Sequence, residues 1–202
     1  MLKNKIREDT HENIRKATSL SKQSILLLHQ KKFDESKQKL QSAKDIIETL
    51  KKQASENPEG IYGGMFSAAL QEYAEANILL ILVQEERFVS PDEIKVPCVE
   101  YVLGLADVIG ECRRSALDSL RDDQVQKGVQ FLEIMDQIFI QLLALDEAYM
   151  LVPGLRHKSD IARRIIENTR GDITLEVRRE SLESYLKKLM PDNKKNQSNP
   201  DK

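Results

Sequence analysis

The sequence predicts an all-α protein, a bundle of seven helices, on three observations. Glycine and proline are scarce, 8 and 6 of 202 residues, while Leu, Ile, Lys, Glu, Gln and Ala dominate, a composition that favours helix. No stretch alternates apolar and polar residues with period two between turn residues, so no strand is expected. The few Gly and Pro residues fall where they divide the chain into helix-length segments.

The first helix is expected from Lys3 to Lys31. The second follows Lys32-Phe33-Asp34, with Asp34 as a cap, and runs to Ser55. Asn57-Pro58-Glu59-Gly60 is a break, and the third helix opens near Gly63-Gly64 and ends by Phe88. Ser90-Pro91-Asp92-Glu93 has the form of a capping box with proline at the first helical position, so a fourth helix starts there. Pro97 restarts or kinks it before it continues to Leu120. Asp122 and Asp123 cap a fifth helix reaching Leu151. After Pro153-Gly154 come a sixth, Arg156 to Arg170, a stop at Gly171, and a last helix from Thr174 to Met190. Residues 1–190 read as one helical domain, and 191–202 as a polar, disordered tail.

Composition narrows the function classes. At 202 residues and 40% hydrophobic content the chain can bury a continuous core. The formal net charge of −2 excludes a global basic field, so nucleic-acid binding would need a local patch or a metal. Only Cys98 and Cys112 occur, which argues against a disulfide scaffold or a cysteine-built zinc site and for a reducing, cytoplasmic setting. The longest apolar run, Ile78 to Val83, falls far short of the roughly 20 residues of a membrane span, so no membrane partner is expected. The basic N-terminus has no apolar stretch after it and does not read as a secretory signal.

Four carboxylates break the pattern. From Ile61 to Val83 the only ionisable groups besides tyrosines are Glu72 and Glu75; from Tyr101 to Cys112 the only charged groups are Asp107 and Glu111. Spacings of three and four put each pair on one helix face. Gly104 and Gly110 flank the second pair and would allow close helix approach, and antiparallel packing of the two helices would let the pairs face each other. Burying unpaired carboxylates is costly, and like charges raise each other's pKa. Protonation, basic partners from elsewhere in the fold, and bound cations are the three ways out. Clustered carboxylate oxygens suit Mg²⁺, Mn²⁺ or Ca²⁺, and a water held by Mg²⁺ is a ready nucleophile for a phosphodiester. A glutamate on a helix is ordinarily a solvated surface group, and one such pair alone would carry no argument.

Other groups are weaker signals. His11, His29 and His157 are scattered without metal-ligand spacing and read as surface histidines; Cys112 reads as a buried thiol. There is no phosphate-cradling glycine loop and no G-x-S-x-G element. Arg113 and Arg114 follow Glu111, and Arg114 shares its face and could hold a phosphate oxygen. The segment after Pro153, with Arg156 and Lys158, is basic and could contact nucleic acid, or make salt bridges to acidic helices or a neighbouring subunit.

Gln71-Glu72-Tyr73-Ala74-Glu75-Ala76, followed by Tyr101-Val102-Leu103-Gly104-Leu105-Ala106-Asp107-Val108-Ile109-Gly110-Glu111, resembles the translin family, and most closely its translin-associated factor X (Trax) branch. A weaker likeness continues through Leu155 to Asp160 and Thr169-Arg170-Gly171. The resemblance implies a seven-helix subunit that assembles into a hollow, usually octameric shell binding single-stranded RNA and DNA. It further implies a Mg²⁺-dependent endoribonuclease site in which Glu72 and Glu75 match the Glu-x-x-Glu element and Asp107 and Glu111 the Asp-x-x-x-Glu element. The basic, aromatic-rich segment of the translin branch is missing here, and so are the nuclear-targeting run and the acidic insert of larger relatives. A chain this compact looks archaeal and would assemble with itself. The expectation is therefore a Trax-like endoribonuclease. The alternatives are a shell that binds single strands without cutting them and a helical scaffold whose carboxylates pair with arginines.

Overall fold

The computed structural model describes residues 2–56, 63–145 and 150–189. They form α1 (Leu2–His29), α2 (Phe33–Glu56), α3 (Gly64–Glu85), α4 (Pro91–Ile94), α5 (Cys98–Arg121), α6 (Val125–Ala144) and α7 (Leu155–Leu189). No strand occurs among the described residues. The break expected at Asn57–Gly60 and the tail expected at 191–202 lie outside them.

α1 and α2 form a hairpin whose tight turn has Lys31 at φ 60°. Lys31 N–H bonds Leu28 O and Lys32 N–H bonds Leu27 O, both at 2.9 Å, so the last carbonyls of α1 are satisfied. The buried Ser24 and Ser36 hydroxyls pair at 2.7 Å across the hairpin. Asp34 sits inside the first turn of α2 rather than capping it, where its charge still complements the helix N-terminus.

The capping box forms as expected: Glu93 N–H donates to Ser90 Oγ at 3.3 Å and Ser90 N–H to Glu93 Oε1 at 2.8 Å. The expected fourth helix is nevertheless two. α4 stops after one turn at Lys95, whose φ of 54° is left-handed, and Pro97 then opens α5. Proline keeps the residue before it out of the helical region, so the segments cannot merge. Asp122 caps the C-terminus of α5 instead of starting the next helix, and α6 ends at Ala144, short of Leu151.

Gly171 does not stop α7, which runs unbroken for 35 residues and joins the two last helices expected from sequence. Ile166 and Ile173, buried on either side of the glycine, hold the helix to the bundle. A mid-helix glycine costs about 1 kcal/mol relative to alanine, which such packing outweighs. Farther along, Leu182, Leu186 and Leu189 are exposed.

α3 and α5 run in the same direction, not antiparallel. Ser67 donates to Glu100, and one turn later Gln71 donates to Asp107, so both numbers rise together. The connection over residues 86–97 can stretch about 40 Å, longer than the roughly 33 Å of α3, and carries the chain back to the starting end. α7 follows α5 in the same sense, with Lys158 on Asp107 and Arg113 on Thr169 and Asp172. Lys22 of α1 meets Glu72 of α3, and α2 and α6 are the returning helices.

The core is built from Phe66, Ile78 and Leu79 of α3, Val108, Ile109 and Cys112 of α5, and Met135, Ile138 and Leu142 of α6. By length and composition alone α3 could cross a membrane; here most of it is buried inside the bundle. α3 and α5 approach closely at Gly104. A Cβ there would meet Gln71 O at 2.8 Å, Ala74 Cβ at 3.0 Å and Glu75 N at 3.0 Å. The other flanking glycine, Gly110, faces open space and is not needed for the approach.

Candidate active site

The close approach at Gly104 brings the carboxylates of two helices together. Glu75 lies near enough to Asp107, Glu72 and Glu111 to feel the charge of all three. Its exposure is 8%, whereas the side chains of Glu72, Asp107 and Glu111 are 24%, 29% and 25% exposed. Four acids thus lie along the contact between two co-directional helices, and Glu75 is the most buried of them.

Three of the four have basic partners. Lys22 Nζ of α1 is 3.2 Å from Glu72 Oε1. His29 Nε2, at the end of α1, is 2.5 Å from Glu111 Oε2; with Glu111 ionised it is the ring N–H that donates. Lys158 of α7 binds Asp107 Oδ1, and Gln71 Nε2 donates to Asp107 Oδ2 at 2.5 Å. Among the described residues Glu75 makes no hydrogen bond or ion pair, and no fully buried side-chain oxygen is left unsatisfied. Burial, joined by the charges of Asp107, Glu72 and Glu111, pushes its carboxyl up to about 8, with Lys158 pulling the other way. At neutral pH Glu75 therefore keeps its proton. Two of the three ways of resolving buried acid charge operate at once.

Of the residues expected to take part, Glu72, Glu75, Asp107, Glu111 and Lys158 come together. Arg113 turns to α7, donating to Thr169 Oγ1 at 2.7 Å and Asp172 Oδ2 at 3.0 Å, so it ties two helices instead of facing the acids. Arg114 and Arg156 are exposed, and neither forms an ion pair among the described residues. His29 corrects the surface reading of the histidines: its side chain is 6% exposed and bound to the site. The signal available in sequence was its seven-residue spacing from Lys22, which puts both on one face of α1. Cys112 is the buried thiol expected, pushed up to about 12 chiefly by burial.

The donor set fits a hard divalent cation in chemistry: four carboxylates, one of them 8% exposed and without an ion pair to any described residue. As they stand, however, no three acidic, histidine or cysteine groups among the described residues are placed to share an ion. Asp107 and Glu111 are engaged by Lys158 and His29 instead. His29 also lines a neighbouring groove of about 560 Å³ floored by Leu79, Leu82 and Phe131. Its rim carries Glu86, Asp118, Asp122 and Glu133 against Lys31 and Lys127, a balance that does not suit a phosphate track.

Comparison with known proteins places the chain in a family. An uncharacterized protein of Methanocaldococcus jannaschii is 34% identical over 157 residues, covering 77% of this chain and 69% of that protein. The crystal structure of AfC3PO superposes with a TM-score of 0.77 at 32% identity, over 86% of this chain and 90% of the other. The same protein in complex with duplex RNA gives a TM-score of 0.76 at 32% identity, over 84% and 88% of the two chains. The Translin family profile matches residues 5–169, all four carboxylates and Lys158 included, and the chain belongs to the translin family.

Proposed function

We propose that this chain is a Trax-like, divalent-cation-dependent endoribonuclease that acts on single-stranded RNA, also binds single-stranded DNA, and assembles with copies of itself into a hollow shell, an octamer by family resemblance. The observation that carries the reading is the convergence of Glu72, Glu75, Asp107 and Glu111, with Glu75 buried and unpartnered among them. Support for an RNA substrate comes from AfC3PO, a relative at 32% identity whose structure has been solved with duplex RNA. The two cysteines, neither in a disulfide, fit a cytoplasmic setting.

Glu72, Glu75, Asp107 and Glu111 would hold Mg²⁺ or Mn²⁺, which when bound supplies Lewis-acid polarisation of the phosphodiester. The chain itself provides the rest. Gln71 and His29 fix the orientations of Asp107 and Glu111 through hydrogen bonds at 2.5 Å each. Arg114 and Arg156 are exposed guanidinium groups with no ion pair among the described residues, available to a phosphate. Glu75, with its carboxyl raised to about 8, would release its proton to solvent on binding a cation.

Incubation of a labelled single-stranded RNA with Mg²⁺ tests this reading. Cleavage is expected with wild type, none with excess chelator, and none with the Glu72→Gln/Glu111→Gln double variant. Cleavage that survives either treatment overturns the assignment. One observation favours a non-cutting binder: three of the acids already have basic or amide partners. That protein would bind RNA with strong salt dependence and leave it intact in both Mg²⁺ and Mn²⁺.

A further inference from the structure

We propose that Lys158 is a built-in rival of the divalent ion: its ammonium satisfies Asp107 while no ion is bound and passes to a phosphate of the RNA strand when an ion takes Asp107. This rests on the ion-binding reading above and adds how the site is controlled.

Both oxygens of Asp107 are engaged, one by Lys158 and one by Gln71. Gln71 is neutral and can stay beside a cation. Lys158 cannot: an ammonium and a divalent ion bonded to one carboxylate repel strongly at such a separation. With Lys158 on Asp107, no three acidic, histidine or cysteine groups among the described residues are placed to share an ion. The three basic partners differ in how they can yield. Lys22 is 62% exposed, so its pair with Glu72 gives way to solvent at little cost. His29 is 6% exposed and short, so it stays in place. Lys158 lies between, 24% exposed on a flexible four-carbon stem, bound to Asp107 yet able to swing out. It comes from α7, which contributes none of the four carboxylates, so its release leaves the α3–α5 contact intact.

Calorimetric titration of the metal-free full chain with Mn²⁺ tests the rivalry. Lys158→Met should bind Mn²⁺ about fivefold or more tightly than wild type, the value of a partly buried ion pair. Arg164→Gln, which removes the same charge from an exposed position of α7, should leave the affinity within about twofold. Equal or weaker Mn²⁺ binding by Lys158→Met, with wild-type binding still abolished by Glu111→Gln, overturns the inference alone. If neither wild type nor Lys158→Met binds Mn²⁺, the ion-binding reading falls too. In Mg²⁺, Lys158→Met should bind a non-cleavable 2′-O-methyl single-stranded RNA about threefold or more weakly, and unchanged binding refutes the transfer to phosphate. Amine-directed labelling of wild type, read by mass spectrometry, serves if the variant does not fold: Mg²⁺ should raise labelling at Lys158, and unchanged labelling counts against release.

Discussion

The imidazole of His29, at the end of α1, binds Glu111 on α5 at 2.5 Å, across 82 residues of sequence. The bond makes Glu111 part of the fold as well as one of the clustered acids. Truncation should therefore differ from neutralisation. Glu111→Ala leaves a 6% exposed histidine without its partner and should lower stability by about 1–3 kcal/mol. Glu111→Gln retains an acceptor oxygen and should stay close to wild type. Urea unfolding of the two variants checks this, and equal losses would show that the His29 bond carries no stability.

Glu75 gives the ion-free protein a pH dependence opposite to that of an ordinary paired acid. Its carboxyl is raised from 4.5 to about 8 on folding, chiefly by burial. Between those values the folded chain holds more protons than the unfolded one, so stability falls as pH rises. The contribution is complete below about pH 4.5 and gone above about pH 8. Thermal melting in chelator should show a declining Tm across this window. Glu75→Gln should flatten that decline and melt higher than wild type on the alkaline side. A Tm that rises with pH through the window contradicts the assigned shift.

Gly104→Ala should disrupt fold and site together. The added methyl would lie 2.8 Å from the Gln71 carbonyl, which is backbone and cannot swing aside. Forcing α5 off α3 should cost about 1–3 kcal/mol or more and lower Mn²⁺ affinity by separating the acid pairs. Melting and titration of the same preparation measure both effects. Loss of stability without loss of ion binding would detach the pocket from this contact.

Gly171→Ala should have the opposite sign. Nothing lies within 4 Å of the added carbon and the helix passes straight through, so a gain of up to about 1 kcal/mol is expected. A destabilised variant would mean that α7 is interrupted there.

Thiol chemistry separates the two cysteines. Exposed Cys98 should react promptly with an aromatic disulfide reagent, whereas Cys112, buried and pushed up to about 12, should react only on unfolding. Two fast thiols in the native protein would contradict the packing of α5.

The helices and the acids were legible in sequence because their signals are local. Glu72, Glu75, Asp107 and Glu111 stand out against apolar neighbours, and Ser90 with Glu93 announces a cap within four residues. What the sequence hid was non-local or competitive. The shared direction of α3 and α5 depends on where residues 86–97 lead, which no periodicity encodes. Gly171 carries a stop signal in isolation, overridden by the buried isoleucines around it. Pro97 was visible, but whether it kinked or split the helix depended on Lys95 adopting a left-handed conformation. Lys22, His29 and Lys158 come from helices that look like ordinary surface elements, and only folding sets them against the acids.

The central claim is that these four carboxylates form a divalent-cation site. Crystals soaked in Mn²⁺ test it without recourse to activity. An anomalous-difference peak bounded by Glu72, Glu75, Asp107 and Glu111 is expected, with Lys158 moved off Asp107. A fully soaked crystal with no peak there, and Lys158 still bound to Asp107, would contradict it.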